Sequence, residues 1–193
     1  GSNVAAGIAT TLLYGSSLFG KTRYETAVLE IDERSSKRIY PYLTPKWLVV
    51  TNLFRDSVMR NAHPEYIANF ISQAIPRKTK LVLNADDLIS SRIAPENDRV
   101  YFAVDRMETD VVECINLIND LQICPTCSGE LQYDYRRYHH IGRAHCRDCD
   151  FKSPEAHYFA TDVDTTDMTM TVTDKQGGRV VYPLLSDSVF NIY

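Results

Sequence analysis

Hydrophobic residues in the first half of the chain fall into short runs that end in polar residues. The runs at residues 24–32, 45–53 and 79–87 are each nearly continuous, and residues 99–104 form a fourth. Such runs are typical of parallel strands that are buried on both faces of a sheet. The pattern therefore predicts an α/β fold built on a mostly parallel sheet.

Segments with helical spacing lie before and between these runs. Residues 4–13 carry apolar side chains at intervals of about one helical turn and are followed by two glycines, which predicts a helix that closes in a loop. Residues 63–76 predict a crossover helix with Pro64 in its first turn and Pro76 at its end. Near the C-terminus, two alternating runs around residues 175–178 predict a β-hairpin.

Polar residues at the ends of the predicted strands are the first candidates for a binding site, because open α/β sheets bind ligands at the carboxyl ends of their strands. The residues in question are Glu30, Asp32 and Glu33; Thr51 and Asn52; and Asn84, Asp86 and Asp87. Any one of these sets could consist only of loop and helix-cap residues. Three sets of carboxylates and amides in one sheet favour a site for a cation and a phosphate group.

Four of the five cysteines share one arrangement, two CxxC pairs with eighteen residues between them: Cys124, Cys127, Cys146 and Cys149. This spacing is typical of a tetrahedral zinc site, with an iron–sulfur centre or redox dithiols as alternatives. Four thiolates complete the zinc shell, so the predicted role is structural. The nearby histidines are interpreted as surface or packing residues rather than ligands: His139, His140 and His145. We expect a zinc-ribbon insert over residues 123–151, with residues 1–122 and 150–193 forming the main domain.

Composition narrows the class of protein. The 193 residues are 44% hydrophobic and 24% charged, as in a soluble globular protein with a real core. The net charge of −4 gives no reason to expect nucleic acid as a partner. No apolar run is long enough for a transmembrane segment, and no signal peptide is visible. Paired cysteines without a scattered disulfide pattern favour the reducing cytoplasm.

Several segments together resemble one known family. They are "GSNVAAGIATTLL", "AVLEIDE", "VVTNLFRD" and "LVLNADD", followed by a four-cysteine insert that contains "YHHIG". The combination spans nearly the whole chain and resembles the central domain of the Mur ligases, most closely the MurT-like ligase subunits of lipid II isoglutaminyl synthases.

The resemblance implies a reaction and a set of partners. MurT-like subunits use ATP and Mg²⁺ to activate the α-carboxylate of D-glutamate in the stem peptide of lipid II, at the membrane surface. A GatD-like glutaminase subunit supplies ammonia, which converts the activated residue to D-isoglutamine. By resemblance, Glu30 binds Mg²⁺. The nucleotide-binding residues implied are Asn52, Asn84, Asp86, Asp87 and, in an adenine-contacting motif, Asn191.

The chain also departs from the family pattern. It contains no Gly-rich loop ending in Gly-Lys-Thr, and "FGKT" at residues 19–22 lacks the upstream glycine of that motif. The family's C-terminal ligase domain is also missing. We therefore expect an incomplete ATP-binding domain, a fragment of a larger ligase that is inactive by itself, with no catalytic residue assigned. Two alternatives stay open: a zinc-ribbon interaction module on an inactive nucleotide-fold scaffold, and a Mur-type ligase that joins an amino acid instead of ammonia.

Overall fold

The chain is described by a computed structural model that covers residues 3–53, 63–116, 119–188 and 191–193. Within these residues lie a six-stranded sheet, a separate two-stranded hairpin and three α-helices. No helix among them has the length and apolar character needed to cross a bilayer. Residues 54–56 of the "VVTNLFRD" motif lie outside the described part of the chain.

The main sheet has the strand order β1-β2-β3-β6-β7-β8. Its parallel strands are β1 (Trp47–Val50), β2 (Lys80–Asn84), β3 (Arg99–Val104) and β6 (Tyr158–Asp164). Two antiparallel strands complete it, β7 (Thr169–Asp174) and β8 (Arg179–Pro183). The α/β class, the mostly parallel sheet and the C-terminal hairpin predicted from the sequence are all confirmed.

The helices follow the apolar spacing of the sequence. Helix α1 (Ala5–Tyr14) forms as predicted but buries only Ile8. Helix α2 (Ser36–Ile39) is a single turn. Helix α3 (Pro64–Ala74) connects β1 to β2 and starts with proline at a position where no backbone N–H is needed. Its buried residues recur at helical spacing: Pro64, Ile67, Ala68 and Ile71. The last three belong to the same apolar cluster as Leu81 and Leu83 of β2.

One predicted strand is wrong. Residues 24–32 form no strand, and β1 is the edge of the six-stranded sheet. Apolar residues alone do not make a strand, because the backbone also needs a neighbouring strand to complete its ladder. Val28 is accordingly 94% exposed, and the segment is held at its end by a hydrogen bond from the Asp32 N–H to the Asn3 carbonyl of 2.9 Å. Glu30 therefore lies on an extended loop rather than at a strand end.

The cysteine-rich segment lies between β3 and β6. Its hairpin consists of β4 (Leu131–Tyr138) and β5 (Ile141–Cys146), joined by a turn at residues 139–140. Gly142 allows a close approach of the two strands, because a Cβ there would lie 2.1 Å from the Tyr135 carbonyl oxygen. We use the name ribbon for the two CxxC loops together with this hairpin.

The ribbon and the main sheet share a hydrophobic core. Leu81 and Leu83 of β2 are fully buried in the largest apolar cluster of the described residues. The same cluster contains residues of the ribbon: Cys124, Leu131, Tyr133, Ala144 and Cys146. The predicted insert at residues 123–151 is therefore continuous in sequence, but within the described residues it has no hydrophobic core separate from that of the main sheet.

Candidate metal centre and strand-end cleft

The four cysteines of the ribbon come together as the sequence predicts. Their sulfur atoms all lie within 4.8 Å of one another. The Sγ atoms of Cys124 and Cys149 are 3.7 Å apart, and those of Cys127 and Cys146 are 3.4 Å apart. These separations exclude disulfides, whose sulfurs are bonded at about 2.05 Å. They are close to the spacing of about 3.8 Å between sulfurs that each lie about 2.3 Å from a tetrahedral zinc ion.

Backbone N–H groups point at the sulfurs from within each CxxC loop. Thr126 donates to Cys124 Sγ at 3.4 Å, and Gly129 donates to Cys127 Sγ at 3.4 Å. In the second loop, Asp148 donates to the sulfur of Cys146 at 3.3 Å. Such donors stabilise the thiolate form, which is the form that binds a metal.

The pKa values of the thiols differ within the cluster. Burial raises the pKa of Cys124, but N–H donors from Cys127 and Thr126 outweigh it and lower the pKa to about 6. For Cys149, the Phe151 N–H lowers the pKa, but the neighbouring Cys127 thiol and burial outweigh it and raise the pKa to about 12. Four thiolates this close repel one another unless a cation lies between them. The donor set therefore fits a divalent metal ion such as zinc.

The three histidines of the hairpin are not part of this cluster. His145 is on the surface, with Nδ1 3.1 Å from Asp134 Oδ1. His139 occupies the turn between β4 and β5, and its φ of +46° is the left-handed conformation that such a turn requires. His140 is completely buried, with Nε2 3.2 Å from Asp87 Oδ1. His139, His140 and His145 therefore occupy surface or packing positions, and His140 packs against a carboxylate that follows β2.

A second candidate site is a cleft beside the carboxyl end of β1. It encloses about 290 Å³ between that strand end and the loop carrying Glu30, and both Glu30 and Asn52 line it. Glu30 is exposed and accepts one hydrogen bond of 3.4 Å from Asn3 Nδ2. Asp32 and Thr51 add further oxygen atoms to the wall. Carboxylate, amide and hydroxyl oxygens are the types of ligand that Mg²⁺ prefers, so the chemistry of this wall is compatible with the magnesium site expected from the resemblance, which stays a prediction.

The three polar residues at the end of β2 are buried rather than exposed in this cleft. Asn84 is 0% exposed; its Nδ2 donates to the Thr51 carbonyl at 2.7 Å, and its Oδ1 accepts from the Asp86 N–H at 2.9 Å. Asn84 therefore joins the end of β2 to the end of β1. Asn84, Asp86 and Asp87 all have protein partners for their side chains. Their predicted contacts with a nucleotide stay predictions.

Asp87 is a buried carboxylate with three hydrogen-bond donors. Oδ2 accepts from the Leu53 N–H at 2.7 Å, and Oδ1 accepts from the Ile89 N–H at 2.8 Å and contacts His140. Burial raises its pKa, but His140 and the two backbone donors outweigh burial and hold the pKa below its ordinary range. Asp87 therefore stays ionised in the protein interior at neutral pH.

Asp86 is also fully buried but is paired less completely. Its Oδ2 accepts from the Val104 N–H at 3.0 Å and from the Tyr193 hydroxyl at 2.9 Å. Its Oδ1 has no hydrogen bond within the described residues and lies 3.6 Å from Arg143 Nη1. Burial outweighs these partners and raises the pKa of Asp86. Arg137, whose side chain is buried, also faces this carboxylate at 4.0 Å.

Arg137, on β4 of the ribbon, contacts residues outside the ribbon besides Asp86. It forms an ion pair of 2.8 Å with Asp110 and donates a hydrogen bond to the Tyr193 hydroxyl. Sequence reasoning missed Arg137, Asp110, Tyr193 and the partner of His140. The alternation of tyrosines in β4 could have indicated a half-buried strand. Nothing in it shows that an arginine on that strand contacts Asp86, which follows β2.

Asn191 lies apart from the cleft residues. It is exposed, and its Nδ2 donates to Ser186 Oγ at 3.3 Å. The next residue, Ile192, is buried against Val104 and Ala160. The structure thus brings Glu30 and Asn52 together and places Asn84, Asp86 and Asp87 behind them. Asn191 is not among the residues that line the described cleft.

The fold and the cysteine cluster define an α/β protein with a mostly parallel sheet and a four-cysteine ribbon inserted between two of its strands. Among proteins of known role, it is similar to the lipid II isoglutaminyl synthase (glutamine-hydrolyzing) subunit MurT. The Staphylococcus aureus (strain COL) protein is 36% identical over 165 residues, 85% of this chain. The Streptococcus pneumoniae (strain ATCC BAA-255 / R6) protein is 32% identical over an alignment of 197 residues that includes the whole chain.

These matches confirm the resemblance predicted from the sequence: the chain is MurT-like. It spans only 36% of the length of the staphylococcal protein and 42% of the pneumococcal one. No family model matches the chain.

Proposed function

We propose that the chain is part of the ligase subunit of a lipid II isoglutaminyl synthase and acts in peptidoglycan biosynthesis. The observation that carries the proposal is its identity of 32–36% to MurT subunits over most or all of its length. The four-cysteine ribbon and the oxygen-lined cleft at the end of β1 support it, because both are built from segments that carry the resemblance. The ion in the ribbon is proposed to be zinc.

The proposed reaction activates a carboxylate with ATP. An oxygen of the D-glutamate α-carboxylate attacks the γ-phosphorus of ATP, and ADP leaves. Ammonia, released from glutamine by a GatD-like glutaminase subunit, then attacks the acyl carbon, and inorganic phosphate leaves as the amide of D-isoglutamine forms. Phosphoryl transfer depends mainly on positioning and on offsetting negative charge.

Glu30 and Asn52 are the residues of this chain proposed to serve that step. Both line the cleft, and Glu30 is open to solvent, so its carboxylate is available to an incoming ion. Mg²⁺ bound there would offset phosphate charge. Asn84, Asp86 and Asp87 would act from behind the cleft by holding the strand ends in place. The proposed location of this reaction is the cytoplasm, at the membrane surface, where the substrate would be lipid II.

Glu30→Gln tests the cleft assignment in the complete ligase subunit with its glutaminase. The substitution removes one negative charge while keeping the size of the side chain. We expect kcat/KM for lipid II-dependent ATP hydrolysis to fall by about 100-fold or more, because a metal ligand contributes several kcal/mol. Unchanged turnover would remove Glu30 from the magnesium site. Glu25→Gln is the matched control, since Glu25 is exposed and does not line the cleft.

ATP turnover also tests whether this chain can hydrolyse ATP without the rest of the proposed ligase subunit. We expect the 193-residue chain alone to hydrolyse ATP at background rate, and the complete subunit to respond to lipid II. Turnover by the isolated chain above background would contradict this expectation and show that ATP hydrolysis needs no residues beyond these 193.

A further inference from the structure

We propose that His140, in the turn of the ribbon, is a positioning residue that fixes the end of β1, and with it Asn52, through Asp87. This gives the ribbon a task beyond its own folding, because it would hold one wall of the cleft in place. The inference rests on the proposed function only where that cleft is taken to bind the magnesium nucleotide.

The turn of the ribbon lies directly on the end of β2. His140 and Ile141 are both 0% exposed. The Gly142 N–H donates to the Asp86 carbonyl at 2.7 Å, and Ile141 forms a β-bridge with Asp87. His140 Nε2 lies 3.2 Å from Asp87 Oδ1. Backbone and side-chain contacts therefore fix the same two residues of the strand end.

Asp87 links the ribbon turn to the cleft through a hydrogen bond to the backbone. Its other carboxylate oxygen, Oδ2, accepts from the Leu53 N–H at 2.7 Å, and Leu53 is buried. Leu53 directly follows Asn52, which lines the cleft. The side chains of His140 and Asp87 together connect the ribbon turn to the backbone of Leu53.

A second contact holds the same wall from the other side. Asn84 Nδ2 donates to the Thr51 carbonyl at 2.7 Å. Asn52 is therefore flanked by two residues whose backbone groups are hydrogen-bonded to side chains at the end of β2. A carboxylate at position 87 can hold Leu53 only while its own orientation is fixed. Two groups fix Oδ1 of Asp87: the Ile89 N–H at 2.8 Å and His140, the side chain that hydrogen-bonds to Asp87 among the described residues.

The chemistry of the pair favours histidine for this role. Asp87 is a fully buried carboxylate, and such groups require several hydrogen-bond donors. His140 Nε2 faces the carboxylate and can donate an N–H to it. The other ring nitrogen, Nδ1, has no hydrogen-bond partner within the described residues, so Asp87 is the polar group that orients this ring.

The test compares His140→Ala and His140→Gln in the complete subunit with its glutaminase. Glutamine can still donate to Asp87 through its amide, whereas alanine cannot. His145→Gln is the control, because His145 is on the same hairpin but pairs with Asp134 on the surface. The readouts are zinc content, backbone amide hydrogen exchange of residues 51–53 and of β3, and the steady-state constants for MgATP.

For His140→Ala we expect zinc content to stay at one ion per chain and exchange at residues 51–53 to rise by about tenfold or more relative to β3. The KM for MgATP should rise by about tenfold with a smaller change in kcat, and His140→Gln should restore part of both. A purely structural role would raise exchange in β3 equally.

Two results would overturn the proposal. One is exchange at residues 51–53 that changes no more in either His140 variant than in His145→Gln. The other is a KM for MgATP that stays at the wild-type value although exchange rises. If His140→Ala does not fold, His140→Phe takes its place in the same comparison, because phenylalanine fills a similar volume but cannot donate to Asp87. Hydrogen exchange needs no turnover, so an enzyme without ATP-dependent activity would contradict the proposed function and still leave the positioning role measurable.

Discussion

Cys146→Ser is expected to abolish stoichiometric zinc binding and to destabilise the main sheet together with the ribbon. Cys146 is one of the four clustered thiols and is also buried in the largest apolar core, beside residues of β4 and β5. Binding of structural zinc is coupled to folding, so losing one thiolate removes most of that free energy. We expect the free energy of unfolding of the chain to fall by about 3 kcal/mol or more.

Metal analysis and denaturant unfolding of the purified chain measure this effect. Wild-type protein should contain about one zinc per chain, and chelation should lower the stability of the whole cooperative unit because the core is continuous. Cys114→Ser is the control for cysteine replacement, since Cys114 is outside the cluster. Unchanged zinc content in Cys146→Ser would contradict the four-cysteine site. A main sheet that keeps its full stability would contradict the shared core.

Asp87→Asn is expected to have the second largest effect, a loss of about 3 kcal/mol of stability. All the described partners of Asp87 can act as donors: Leu53 and Ile89 through their N–H groups and His140 through Nε2. An asparagine in this position must direct its own NH₂ group at one of those donors. Asp86→Asn should cost less than Asp87→Asn, because an asparagine oxygen can keep the hydrogen bonds from Val104 and Tyr193 while its NH₂ replaces Oδ1, which has no hydrogen bond within the described residues. The remaining cost comes from the lost attraction to Arg137 and Arg143.

The two substitutions should also differ in their pH dependence. The pKa of Asp87 is lowered in the folded state, so its contribution is present above its ordinary value of 3.8 and is lost as pH falls through the folded value. The pKa of Asp86 is raised, so its contribution is present below the ordinary value and is lost as pH rises through the folded value.

Free energies of unfolding measured between acid and neutral pH test both signs. Asp87→Asn should remove part of the stability lost at acid pH, and Asp86→Asn should remove part of the decline as pH rises. The prediction fails if both variants have the pH profile of the wild-type protein, or if Asp86→Asn is the more destabilising of the two.

Much of this fold could be predicted because its signals are local. Buried parallel strands need long apolar runs, and residues 45–53, 79–87 and 99–104 each contain a strand of the sheet. The four-cysteine cluster could be predicted because the CxxC spacing alone lets two thiols bind one ion, independently of the surrounding fold. Residues 24–32 show the limit of that reasoning, since an apolar run becomes a strand only where a neighbour completes its ladder.

The internal polar network could not be predicted, because its partners are distant in sequence. His140 and Asp87 are 53 residues apart, and Tyr193 and Asp86 are 107 residues apart. Their pairing depends on how the ribbon docks on the end of β2, which no local pattern encodes. The polar residues after β2 looked like ligands for the same reason: the sequence shows that they follow a strand but not that the ribbon covers them.

The most direct test of the proposed amidation follows the side-chain amide nitrogen of glutamine into the product. The complete ligase subunit and its glutaminase are incubated with ATP, lipid II and glutamine labelled with ¹⁵N at the side-chain amide, and the stem peptide is analysed by mass spectrometry. We expect ATP-dependent appearance of the label in the α-carboxamide of D-isoglutamine, and its loss in Glu30→Gln. A stem peptide that stays unlabelled, or that gains a whole amino acid instead, would contradict the proposed amidation.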